Sequence, residues 1–192
     1  SEWFSIHEND RLVLEALFMD WGYLRSELRE VENEWWETDE SGRVKILKCP
    51  SNIPRVHPSI GGFECLQELK ISGNSFMKLT GLPQEIGNLS SLIRLNLLIP
   101  NITSLPPSIG RLKNLQELSL NPTKHLSSLP DEIGNLSSLI KLNMDCSGVT
   151  SLPASIGRLK NLQELSLCDS KHLSSLPDGI GNLSSLIKLN MD

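Results

Sequence analysis

Aromatic residues are scarce in this chain, at 5% of 192 residues, while leucine and isoleucine dominate its apolar set. A core without large rings must be filled by one residue type in fixed columns, which is how a repeat protein is built. Long apolar runs are missing as well. Nothing approaches the roughly 18 residues of a membrane span and no signal peptide is visible, so no membrane partner is expected. Positive charge is also in short supply. The net charge is −5, split as −9 over residues 1–42 and +4 over the rest. Neither part carries the basic stripe that a phosphate backbone requires, which argues against nucleic acid as a partner.

The four cysteines, Cys49, Cys65, Cys146 and Cys168, form no C-x-x-C motif, which leans toward a reducing compartment and a cytoplasmic location. Four N-x-S/T sequons at Asn88, Asn101, Asn135 and Asn182 point the other way, but three of them are one repeated phrase, Asn-Leu-Ser. The motifs of catalysis are absent. There is no G-x-x-x-x-G-K-S/T phosphate loop and no carboxylate pair isolated from a balancing base. His125 and His172 fall at the same loop site two repeats apart, about 9–10 Å, too far to share a zinc ion with bonds of about 2.0–2.1 Å. No catalytic residue, metal or cofactor is expected, and the chain reads as a non-enzyme.

What the chain does have is repetition. Leu112–Asp145 reappears at Leu159–Asp192 with only four of 34 positions changed, and Leu89, Leu112, Leu136, Leu159 and Leu183 open the same phrase at intervals of 23 or 24 residues. Such a period marks a stacked solenoid. Each unit reads L-x-x-L-x-x-L-x-L, then a loop, then L-x-x-L-P-x-x-I-G. The period-two alternation predicts parallel strands with Leu69/Ile71, Leu95/Leu97, Leu118/Leu120, Leu142/Met144, Leu165/Leu167 and Leu189/Met191 pointing inward, preceded by a first strand at Val44/Ile46. The Leu-Pro pairs turn the chain along the outer side, where proline favours short 3₁₀ segments over strands. Glycine in Ile-Gly is expected to supply backbone freedom.

Residues 9–36 read as helix from the spacing of Leu14, Leu17, Phe18, Trp21, Leu24, Leu28, Val31 and Trp35, with Asn9 or Asp10 as N-cap and a break at Gly22. Such an apolar face covers the open end of the first strand. The expected organisation is an N-terminal helical cap over 1–42 and repeats over 43–192. The chain stops at Asp192 within a repeat, so the expectation is either that further chain follows or that two copies meet end to end.

The phrases L-x-x-L-x-L and L-P-x-x-I-G resemble the leucine-rich repeat family over about residues 43–192. The 23-residue form looks like repeats of the plant intracellular Ras group, and the 24-residue form is similar to repeats of plant immune receptors. The resemblance implies an α/β solenoid: an arc with a parallel β-sheet on its concave face, short turns on its convex face and a helical cap. Of the asparagine that ties neighbouring loops in the family, only Asn74 remains; Pro100, Thr123, Ser147 and Ser170 take the other positions.

The outward strand positions then form columns, with neighbours roughly 4.8 Å apart. One is Arg43, Glu68, Arg94, Glu117, Lys141, Glu164, Lys188, alternating in sign at every step. Opposite charges across strands stabilise by roughly 0.2–1 kcal/mol per pair, so the column reads either as a self-neutralising ladder or as a partner-reading surface. The next is Lys45, Lys70, Asn96, Ser119, Asn143, Ser166, Asn190, flat and wettable. The expected concave face lacks the Trp and Tyr anchors that dominate binding hot spots, which implies modest affinity. Variation between repeats concentrates just past the strands, marking a rim of Leu98, Ile99, Asn121, Asp145, Cys146, Cys168 and Asp169, with Leu98 and Ile99 as exposed apolar candidates. Cys146 and Cys168 read either as free thiols or as a bridge. The functional reading is a protein-binding module; the alternative is the recognition segment of a larger immune receptor or effector enzyme.

Overall fold

The computed structural model describes residues 2–23, 35–74, 76 and 78–192. Helix α1 spans Glu8–Asp20, and the strands are β1 (Trp36–Thr38), β2 (Val44–Cys49), β3 (Glu68–Ser72), β4 (Arg94–Leu98), β5 (Glu117–Ser119), β6 (Lys141–Asn143), β7 (Glu164–Ser166) and β8 (Lys188–Asn190). They form one sheet in sequence order, with β1 antiparallel to β2 and every later pair parallel. The architecture is the expected solenoid. From β3 to β7 the inward leucines are buried, and they continue into Leu66, Leu92, Leu115, Leu139 and Leu162 and the Ile-Gly isoleucines as one core.

The outer side carries the 3₁₀ turns Pro58–Gly62, Gln84–Asn88, Pro107–Arg111, Asp131–Asn135, Ala154–Arg158 and Asp178–Asn182. In the last five the Leu-Pro proline sits at the N-cap with φ between −67° and −70°, the value its ring imposes. The glycine after each isoleucine acts differently from expectation. None of these glycines adopts positive φ; instead a Cβ on Gly61, Gly87 or Gly110 would lie 2.5 Å from the carbonyl oxygen of Glu85, Ser108 or Glu132 in the next turn. Glycine lets successive turns touch.

At the N-terminus the helix expected before Gly22 is present as α1. It starts at Glu8, capped by His7, whose Nδ1 accepts from the Asn9 N–H, so neither Asn9 nor Asp10 is the cap. It ends before Gly22, whose φ is +92°, where the break was expected. Trp35 and Trp36 are not helical: Trp36 opens β1. Leu24, Leu28 and Val31 lie outside the described residues. Seven of the nine aromatic residues fall within the first 36. Phe18 is buried among Trp21, Tyr23, Trp35 and Trp36, with ring centroids 5.0–5.8 Å away.

Three polar ties fix this unit to the first turns. The buried carboxylate of Asp10 accepts from Arg43 Nε and Nη2 at 3.0 Å and from the Val44 N–H at 2.7 Å, so its charge is paired and its acceptor sites are used. Arg55 holds Asp20 through Nε and Nη2, and Trp21 Nε1 donates to the Arg55 carbonyl at 3.0 Å. A residue accommodated in β2 disturbs the phase. The register runs Glu37 to Ile46 but Thr38 to Val44, leaving Lys45 extra, a β-bulge. Val44, Leu47 and Cys49 are therefore the buried residues of β2 and Ile46 is not.

Candidate interaction surface

Strand register fixes the concave columns. Glu68, Arg94, Glu117, Lys141, Glu164 and Lys188 stand opposite one another in succession, as do Lys70, Asn96, Ser119, Asn143, Ser166 and Asn190. The bulge corrects both columns at their first strand: Ile46 pairs with Glu68 and Lys48 with Lys70. Arg43 instead serves Asp10 and Glu64, and Lys45 pairs with Asp39 at 3.1 Å. Arg43 thus belongs to the joint with α1, and Lys45 to the turn between β1 and β2.

The charged column closes into direct ion pairs at two steps. Arg94 reaches Glu68 at 2.7 Å through Nη2 and 2.9 Å through Nε, and Lys188 reaches Glu164 at 2.7 Å. The Lys188 hydrogen bond holds the Glu164 carboxyl below its ordinary range, and Glu164 raises Lys188 in return. In the polar column Ser166 is buried, donating to Asp145 Oδ1 at 2.7 Å and accepting from Asn190 Nδ2 at 3.4 Å. Asn143 Oδ1 accepts from the Asp145 N–H at 3.0 Å. A hollow of 270 Å³ lies over β6–β8, bordered by Lys141, Asn143, Glu164, Ser166 and Lys188.

A third column escaped the sequence reading. Immediately before each strand, Gln67, Ile93, Gln116, Ile140, Gln163 and Ile187 alternate between amide and apolar side chains; the glutamines are exposed and Ile187 is 83% exposed. The signal was available in the second position of L-x-x-L. Together the columns give each strand one of two faces, Gln-Glu or Ile-Lys/Arg, repeating every second turn.

The rim is more ordered than its variability suggests. Ile99 is buried in the core and Leu98, the last residue of β4, is half-buried, so Ile99 is no exposed anchor. Phe76, on the longer loop after β3, is 96% exposed. Hydroxyls take over the missing asparagine's task. Thr123 Oγ1 donates to the Leu120 carbonyl at 2.8 Å, Thr123 and Ser147 pair as a parallel bridge, Ser147 and Ser170 hydroxyls lie 3.2 Å apart, and Ser170 donates to the Met144 carbonyl at 3.1 Å. Asn121 is half-buried beside this ladder. Asp145 is half-buried and caps Cys168 by accepting its N–H at 2.9 Å. Cys146 and Asp169 both adopt φ of 55°, and Asp169 is exposed. Cys146 and Cys168 are free thiols, joined through backbone by the Cys146 N–H and Cys168 carbonyl at 2.8 Å.

Comparison with known proteins agrees with this geometry. A family model described as a leucine-rich repeat region matches residues 118–192. No curated protein matches the chain. Among solved structures, a leucine-rich repeat protein of Leptospira interrogans is 36% identical over 72% of this chain and 40% of its own, with a TM-score of 0.54. The leucine-rich repeat domain of the type III effector XopL is 32% identical over 67% of this chain and 43% of its own, at 0.59. The ectodomain of the Arabidopsis thaliana receptor kinase GASSHO1/SCHENGEN3, solved in complex with CASPARIAN STRIP INTEGRITY FACTOR 2, is 26% identical over 79% of this chain and 18% of its own, at 0.59. The chain thus spans about two fifths of the length of the first two. Among the described residues no helix is long and apolar enough to cross a membrane.

Proposed function

This chain is a leucine-rich repeat protein, and from that premise we propose that its concave sheet is the surface on which it binds a protein partner. The observation that carries the reading is the in-register set of outward columns, where side chains of both charges and amides recur along one sheet. On the convex side glycines bring successive turns into contact. Mixed charge gives such a surface specificity and register more than steering. Recognition rests on Glu117, Ser119, Lys141, Asn143 and Lys188, flanked by the rim loops. A second reading, a recognition segment within a larger protein, draws support from the match to a repeat domain of an effector.

Site-specific photo-crosslinking in extract of the source organism tests the proposal. A crosslinker at Ser119 or Lys141 is expected to capture a discrete protein, and one at the exposed convex residue Asp131 is not. Capture from Asp131 alone would reverse the assignment of faces.

A further inference from the structure

Repeat lengths alternate along the second half of the chain, with register steps of 24, 23 and 24 residues from Glu117 to Lys188. The two longer loops each carry an exposed Lys-His pair, Lys124-His125 and Lys171-His172. The loop between them is shorter and holds Cys146, Ser147 and Gly148 instead. A Cβ on Gly148 would collide with the Lys124 carbonyl oxygen, so the short loop lies tight against its neighbour. A notch results on the rim, with walls two strand spacings apart, roughly 9.6 Å. Its volume is 390 Å³ and its lining is Lys124, Cys146, Ser147, Asp169, Lys171 and His172. That size falls at the lower end of the roughly 300–1,000 Å³ of ligand pockets.

We propose that this notch is an oxyanion site that takes a phosphorylated side chain of a bound protein. Lys124 and Lys171 line it from opposite walls against one carboxylate, Asp169, and the ring of His172 adds a further polar group. A phosphomonoester carries close to two negative charges and three acceptor oxygens, which suits two flanking lysines better than a single carboxylate would. Lysine serves such groups as a point charge. The phosphate preference stands on the notch alone; only the protein origin of the phosphate rests on the binding role proposed above.

Calorimetric titration with inorganic phosphate at pH 7.5, against chloride at equal ionic strength, tests the site. Lys124→Gln and Lys171→Gln are each expected to weaken binding about fivefold, and together to abolish it, while Arg158→Gln on the convex side changes nothing. A short phosphoserine peptide is expected to bind with the same lysine dependence, and its unphosphorylated twin to give no heat. No phosphate heat beyond chloride, or binding that survives the double substitution, would overturn the site. Phosphate binding without phosphopeptide binding would overturn its assignment to a protein side chain. Binding of inorganic phosphate needs no partner protein, so failure of the sheet as a partner surface and failure of the notch are read separately.

Discussion

Gly110 has no room for a side chain, although its backbone is ordinary. Its hypothetical Cβ would lie 2.5 Å from the Glu132 carbonyl oxygen and 2.8 Å from the Glu132 Cβ, and the obstacle is partly backbone that cannot step aside. Gly110→Ala must therefore separate two turns and is expected to cost about 1–3 kcal/mol, the range for an overpacked core. Gly81 has nothing within 4 Å and no positive φ, so Gly81→Ala is expected to be neutral or stabilising by up to about 1 kcal/mol. Urea unfolding of both variants checks the pair; equal midpoints would contradict the turn-contact account. The sequence announces that glycine is required here, but its reason, space rather than dihedral freedom, depends on what the neighbouring turn brings close.

At the scale of the element, the strands and outer turns were legible because leucine spacing and Leu-Pro each have one physical solution when stacked. The terminal unit was not. Its α1 face is periodic, but where the helix begins depends on His7 accepting an N–H, and Trp36 satisfies an apolar spacing equally well as the first residue of β1. The bulge at Lys45 is invisible in the sequence because Val44 and Ile46 alternate correctly by themselves; pairing with β1 decides the phase. Acid titration reports on this unit. Arg55 lowers the pKa of Asp20, and the Ser41 hydroxyl, then the Arg43 N–H and Lys45, lower that of Asp39. A carboxylate depressed in the fold contributes fully above its unfolded value, about 3.9, and loses that contribution as pH falls through the folded one. Through these two groups, thermal stability is expected to hold from neutral to about pH 5 and to fall below about pH 4. Asp20→Asn lowers the midpoint at neutral pH and makes the acid limb shallower; an unchanged limb, followed by circular dichroism, would contradict the role given to the Asp20–Arg55 tie.

For the whole molecule, stacking separates two kinds of surface: a convex side whose turns interlock and a concave sheet whose columns point outward. Most of the candidate surface could be read from the sequence, because register in a solenoid follows from repeat length. The misplacements at Arg43, Lys45 and Ile99 occur where repeats are irregular, beside the bulge and beside Pro100. The most direct measurement is the affinity for the crosslinked partner of Glu117→Lys and Lys141→Glu, set against convex Asp131→Lys. Each concave inversion is expected to weaken association about tenfold, or about 1.4 kcal/mol, and the convex change to leave it within about twofold. Loss of affinity from Asp131→Lys with both concave inversions silent would contradict the assignment of binding to the sheet.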